Sequence, residues 1–238
     1  MRESVRKIAT RHLVATALAG VLAAGLHVVL PDTRVQARDD LVGPATIVDG
    51  DTIAIAGVRV RLEGIDAPET GQTCGTADAG QWPCGLVASR ALVALVEGQS
   101  IACQRRGVDK YRRILAICFR EGADINAEMV RTGHAWAFVR YSQIYVALEA
   151  EARQARRGIW QGPAEPAWDY RAGRWQTAET LSPHGCAIKG NISRHGSIYH
   201  MPWSPWYGKV KIDERRGERW FCSESDAAEA GFRPAHPS

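Results

Sequence analysis

Between Pro44 and Ile65 the chain runs through three short segments rich in β-branched residues, PATIVDG, DTIAIAG and VRVRLEGI. Each is bounded by Gly or Asp, so each reads as a strand ended by a turn. Strands this close in sequence pair as antiparallel hairpins, and the sheet they begin must curl round a core or be covered by helices. The first turn holds an oddity. Asp49-Gly50 alone supplies a turn, yet Asp51 follows where the next strand should begin, and aspartate is a poor strand residue. Either Asp51 caps the turn or it serves something that the turn presents.

The rest of the chain continues the pattern. GQTCGTADAGQWPCG reads as a loop, and LVASRALVALVEG as a helix with Leu86, Ala91, Leu92, Leu95 and Val96 on or near one face and Gly98 as its stop. SIACQRRGVDKYRRILAICF reads as a hairpin turning at Lys110 and Tyr111, which sets Cys103 opposite Cys118. ADINAEMVRTG is a short helix closed by Gly133, and HAWAFV is a last short strand. YSQIYVALEAEARQARRGIW is a longer helix with a stripe of Tyr141, Tyr145, Leu148, Ala152, Ala155 and Ile159. This order fits an α+β domain, mainly β with α: a curled five-stranded barrel of the OB-fold type with three packed helices, an architecture used for oligonucleotides. PAWDYRAGRW is expected to lie back on this domain through Trp168 and Trp175, giving it residues 41–175, and 176–184 is the expected linker. Residues 185–235 then crowd Trp203, Trp206, Tyr207, Trp220 and Phe221 into a segment with little core. They form a small Trp-rich, β-rich module in which the aromatics serve as core and SESDAAEAG as a short capped helix.

The formal net charge is +4. Residues 1–37 hold five cations against two acids, so the remainder is near neutral. Overall charge therefore makes no case for a polyanionic partner; a local site has to make it. A composition of 45% hydrophobic and 24% charged residues excludes bulk disorder. The amino terminus opens with the basic MRESVRKIATRH, continues with an apolar run over residues 13–30 and reaches VQA at 35–37. Residues 1–37 read as a signal peptide cleaved after Ala37, or as an uncleaved anchor tethering the chain to the inner membrane through residues 13–30. Both place the remainder outside the cytoplasm, periplasmic or secreted. The six cysteines fall in three close groups, which in an exported protein reads as disulfides Cys74–Cys84, Cys103–Cys118 and Cys186–Cys222. Zinc is the rival, without the support of any Cys-x-x-Cys pair.

Fifteen residues after Asp51 comes GIDAPET, with Asp66 and Glu69. Arg61 lies between them on an alternating strand, and DKYRR supplies Lys110, Tyr111, Arg112 and Arg113. If the strands pair in order, two aspartates, a glutamate and two arginines converge on one edge of the barrel. Two carboxylates and a backbone carbonyl suit a hard cation such as Ca²⁺. A cation beside two arginines suits a phosphodiester, whose non-bridging oxygens gather charge, and a further glutamate can activate water.

VDGDT, RLEGIDAPET, DKYRR, NAEMVRTGHAWAF and EARQARRGIW, in this order and at these intervals, resemble the staphylococcal nuclease (thermonuclease) family from about Pro44 to Trp160. The resemblance implies Ca²⁺-dependent hydrolysis of DNA and RNA to 3′-phosphate ends, favouring single strands. It implies Asp51, Asp66 and the Ala67 carbonyl as calcium ligands, Glu69 as general base, and Arg61 and Arg113 on the scissile phosphate. Lys110 and Tyr111 match positions that contact a terminal phosphate, Tyr141 lines the nucleotide pocket, and Asp49 is a nearby supporting acid. Arg112 departs from the pattern, standing where the family usually has glycine. The Cys74–Cys84 loop is an insertion that either shapes the cleft or braces it. PAWDYR resembles a segment following the last helix in bacterial relatives, and IKGNIS, IYHMPWSPWY and GERWFCSESDAAEAGFR resemble the small sunset module. The chain is expected to act as a monomer. The alternative is a catalytically silent nucleic-acid-binding or envelope-associated module on the same barrel.

Overall fold

Ile53, Ile55, Val60 and Leu62 alternate along two strands and are all removed from solvent, which requires the sheet to close on itself. In the computed structural model, which describes residues 40–109, 111–194 and 196–235, it does so. The barrel strands are β1 (Leu41–Asp49), β2 (Thr52–Ile55), β3 (Val58–Leu62), β4 (Ser100–Val108) and β5 (Ile114–Arg120). They pair antiparallel in the order β3-β2-β1-β4-β5. Parallel pairing of β3 with β5, from Val60↔Ile114 to Leu62↔Ala116, closes the barrel. Cys103 faces Cys118 across β4 and β5, as the hairpin reading expects, and the two are bonded.

Helices α1 (Cys84–Val96), α2 (Ile125–Arg131) and α3 (Val146–Gln154) pack on this barrel. α1 buries Ala88, Leu92 and Val96, one residue per turn on a single face. α2 is capped by Asp124, whose carboxylate accepts from the Ala127 amide at 2.9 Å. Its buried Asn126 stitches the closure: the side-chain amide donates to the carbonyls of Glu63 and Ala116 and accepts from the Cys118 amide.

α3 is shorter than its apolar stripe suggests. Tyr141 precedes it in a turn and is 69% exposed, and Ala155 is also exposed, whereas Tyr145, Ala152 and Ile159 are buried. Left-handed backbone at Arg156 and Gly158 breaks the helix before a single 3₁₀ turn over Gly158–Gln161. There the backbones of Gly133 and Gly158 pass so closely that a Cβ on Gly158 would lie 2.1 Å from the Gly133 carbonyl oxygen.

A fourth helix, α4 (Ala167–Leu181), goes beyond the sequence expectation and takes in residues 176–181 of the stretch that reads as linker. It joins two cores. Trp168 stacks on Phe138 at 5.5 Å and meets Trp136 edge-on at 6.0 Å, on the barrel side. Trp175, expected on the same domain, packs instead against the carboxy-terminal core and lies 6.4 Å from Trp203.

That core belongs to a four-stranded sheet of β6 (Ile188–Ser193), β7 (Gly196–His200), β8 (Arg219–Phe221) and β9 (Arg233–Pro234), in the order β8-β6-β7-β9. With α5 (Glu224–Glu229), capped by Ser223, it buries Ile188, Tyr199, Phe221, Ala227 and Phe232. Of the aromatics expected as core, Phe221 is buried, whereas Trp206 is 39% exposed. Disulfide Cys186–Cys222 closes this segment, and Cys74–Cys84 closes the loop before α1. The expected signal or anchor at residues 1–37 lies outside the described residues. Among the described residues no helix is long and apolar enough to cross a membrane.

Candidate active site

The Asp49-Gly50-Asp51 turn is pressed against the start of α1. A Cβ on Gly50 would fall 2.8 Å from the Ala67 side chain and 3.2 Å from that of Ala88, so only glycine lets the turn come so close. Asp49 accepts from the Asp51 amide at 3.1 Å. Asp51 itself is buried and accepts from the Ala67 amide at 2.9 Å and the Thr52 hydroxyl at 3.2 Å. The second acid of the turn is therefore aimed inward, at the segment that carries Asp66.

Asp66 is fully buried on a two-residue strand, Ile65–Asp66, paired with Trp136–Ala137. Glu149 of α3 fixes that partner strand by accepting from the Ala137 amide at 2.6 Å. Arg61, on β3, ion-pairs with Asp51 and with Asp66, the latter at 2.6 Å. One guanidinium thus touches both aspartates, and their oxygens converge as the sequence pattern expects.

Glu69 sits on the following loop. Its amide donates to buried Gln72 at 3.1 Å, and Gly85 allows the loop against α1, since a Cβ there would meet the Glu69 carbonyl oxygen at 1.7 Å. Disulfide Cys74–Cys84 pins the same loop, and the Gly75 amide donates to the Pro163 carbonyl at 2.7 Å. No residue of 73–84 lines the cleft, so the insertion braces the site. The Glu69 side chain is 17% exposed. Burial, opposed by Arg171 and reinforced by Asp49 and Asp66, pushes its carboxyl up to about 7.

Arg113 reaches the cleft from the far side of the β4–β5 turn, and Asp109 holds it with a 2.7 Å ion pair. Arg112 adopts left-handed backbone, φ +64°, the conformation for which glycine is the ordinary choice. It is exposed and lies outside the cleft lining, whereas Arg113 lines the cleft. Tyr111 and Tyr141 line the same cleft at its exposed rim. Lys110 lies outside the described residues.

One residue at the centre escapes the sequence reading. Arg171 of α4 donates to Asp66 at 2.7 and 3.1 Å and to Glu69 at 2.8 Å. Burial works against its charge, but the two carboxylates outweigh burial and hold the guanidinium charged. A signal for it does exist. Trp168, Arg171, Trp175 and Ala178 recur at three- and four-residue intervals, so the arginine stands inside an apolar helical stripe.

Arg61, Glu69, Tyr111, Arg113, Tyr141 and Arg171 line a cleft of about 720 Å³; Asp51 and Asp66 lie outside its lining, in contact with Arg61. Among the described residues no cluster of three or more His, Cys, Asp or Glu side chains is arranged to hold a metal. The convergent donors are two buried carboxylates, beside the backbone at Ala67. Such a sparse, all-oxygen set suits a hard cation that draws further ligands from water, as Ca²⁺ does.

Residues 59–162 match the family model described as staphylococcal nuclease homologue, and residues 169–234 match one described as ArfC. The chain is 35% identical over 176 residues to the micrococcal nuclease of Shigella flexneri, covering 66% of this chain and 94% of that protein. It is 35% identical over 133 residues to an uncharacterized endonuclease of Escherichia coli, covering 52% of this chain and 80% of the relative. It is also 34% identical over 141 residues to the succinoglycan biosynthesis protein ExoI of Rhizobium meliloti (strain 1021), covering 58% and 74%. The chain belongs to the staphylococcal nuclease family. The segment matched by the family model ends before α4, so Arg171 reaches the acids of the barrel from the segment that follows.

Proposed function

We propose that this protein is an exported, Ca²⁺-dependent nuclease that hydrolyses DNA and RNA, favours single strands and leaves 3′-phosphate ends. The observation that carries the reading is the convergence of Asp51, Asp66 and Glu69 on Arg61 and Arg171, whose guanidiniums line a cleft with Glu69 and Arg113, on a staphylococcal nuclease barrel. Asp51, Asp66 and the Ala67 carbonyl hold the Ca²⁺, which offsets negative charge on the phosphate oxygens. Arg61 and Arg113 hold those oxygens from the barrel side. Glu69 takes a proton from water, the water oxygen bonds to phosphorus, and the bond to the 5′ oxygen breaks; that oxygen leaves as a hydroxyl after taking a proton from solvent, so phosphate stays on the 3′ side. Asp49 fixes the Asp51 turn. Lys110 and Tyr111 receive a terminal phosphate, and Tyr141 borders the nucleotide pocket. The disulfides suit an oxidising compartment outside the cytoplasm, reached through residues 1–37, and the chain works as a monomer.

One observation favours a catalytically silent strand-binding module instead: Arg171 already ion-pairs with both a proposed metal ligand and the proposed base. Digestion of denatured DNA by the oxidised protein separates the two readings. Cleavage with Ca²⁺, absent with chelator and reduced at least about 10³-fold in a Glu69→Gln, Arg113→Ala variant, is the expected result. A folded protein that binds the strand but cuts it under no condition would leave the silent module.

A further inference from the structure

The catalytic cleft has a second wall, and the barrel does not supply it. Met201, Trp203, Pro205 and Trp206, from the loop after β7, line the cleft together with the arginines of the barrel and α4. That loop is seated against the catalytic loop: a Cβ on Gly71 would lie 3.6 Å from Pro205 and 3.8 Å from the Trp203 carbonyl oxygen. Arg174 of α4 donates to the Pro202 carbonyl at 3.4 Å, and Trp175 backs Trp203. Helix α4 therefore fixes the loop from behind while its Arg171 reaches the acids.

The two walls differ in chemistry. Among the described residues, every cation in the cleft lining comes from the barrel or α4: Arg59, Arg61, Arg113 and Arg171. The described carboxy-terminal wall adds no cation. Its one charged residue, Glu224, accepts from the Tyr199 hydroxyl at 2.8 Å. A single nucleic-acid strand has the same two sides, phosphates along one edge and flat apolar bases along the other. A cleft of about 720 Å³ is of small-molecule size and holds a nucleotide or two rather than a duplex.

We infer that the carboxy-terminal segment is a base-binding wall of the nuclease, on which Trp206, beside Trp203 in the same lining, stacks the nucleobases of a single strand whose phosphate faces the arginines. The inference rests on the proposed nuclease reading and adds a site to it. Stacking on an aromatic ring tolerates any base, so this wall selects for unpaired bases and not for sequence. The Lys209 ammonium lies 4.7 Å from the centroid of the Trp206 ring, a cation–π contact.

The test compares two strands of equal length on the full, oxidised protein: a thymidine oligonucleotide and its abasic analogue, which keeps the phosphates and lacks the bases. Wild type is expected to cleave the thymidine strand at least about 10-fold more efficiently, the size expected from losing one stacked base. Trp206→Ala should raise KM on the thymidine strand about as much, leave kcat and the abasic strand unchanged, and so erase the discrimination. Trp206→Phe should restore it. Because Trp206 is exposed, Trp206→Ala is expected to melt like wild type, and Trp203→Leu gives a second reading where packing against Trp175 matters. Equal loss on both strands, or no loss on either, would overturn the wall. If wild type cleaves nothing, the nuclease reading fails by itself. Anisotropy of the two labelled strands, in chelator, would still report whether Trp206 recognises bases: weaker binding of the thymidine strand alone supports the wall, and unchanged binding overturns it.

Discussion

The barrel and the carboxy-terminal sheet face each other across one cleft and are built by opposite means. The barrel with its helices buries a connected core of twenty residues, the carboxy-terminal sheet one of five. A buried ionised group needs backbone and side-chain partners around it, and a large core offers more of them than a small one. Asp51 and Asp66 are accordingly buried on the barrel side. The small sheet instead needs a disulfide, α4 and a ring-filled glycine, Gly190, whose Cβ would stand 2.4 Å from Phe221. It offers the cleft bulk and aromatic surface. The carboxy-terminal sheet does bury one acid, Glu218, but holds it on the Ile192 and Asp213 amides, away from the cleft lining.

Three changes to the chain would break or sharpen that contrast. The largest effect is expected from Asp66→Ala, which removes the partner of Arg61 and Arg171 together. Two part-buried guanidiniums would lose a buried carboxylate, at a cost of roughly 3 kcal/mol, and activity should fall by at least about 10³-fold. Thermal melts and digestion of denatured DNA check both numbers; a mild effect on each would mean that the barrel does not depend on buried charge.

Replacing Cys186 and Cys222 by Ser should cost about 3–4 kcal/mol, the value expected for opening a loop of their separation. The loss should be confined to one region: hydrogen exchange should speed up in β6, β7 and β8 and stay slow in β1 to β5. Uniform acceleration would show that the two regions fold as one cooperative body.

Arg171→Gln should have the smallest effect on rate, about 10-fold, but it carries a directional sign. A base must be ionised to work, and Glu69 is pushed up to about 7 by burial while Arg171 opposes that rise. Activity is therefore expected to climb as pH rises through about 7 and to fall below it. Removing the opposing charge should move this acid limb to higher pH. A profile that keeps its midpoint would mean that Arg171 does not act on the base.

Much of this is legible in the sequence because strands and turns carry local signals. The Cys103–Cys118 pairing sets the register of β4 and β5, and Asp49-Gly50-Asp51 with GIDAPET locates the acids. The helix α4 is not legible as such, because its stripe mixes tryptophans with an arginine and serves two cores in succession. Trp168 and Trp175 look alike as residues, and only the fold assigns them to different partners. Trp206 reads as core because aromatic crowding in a short segment ordinarily means core; here one side of the loop faces a cleft that the other half of the chain opens.

The reach of Arg171 from α4 has a consequence for where this enzyme can be cut. The segment matched by the nuclease family model ends at residue 162, and a chain truncated there would keep Asp51, Asp66 and Glu69 with Arg61 alone between them. Such a fragment would preserve the whole matched segment and still carry a different electric field at the acids, with one more uncompensated negative charge. In this protein the end of the matched segment and the end of the charge network around Asp66 and Glu69 are different places.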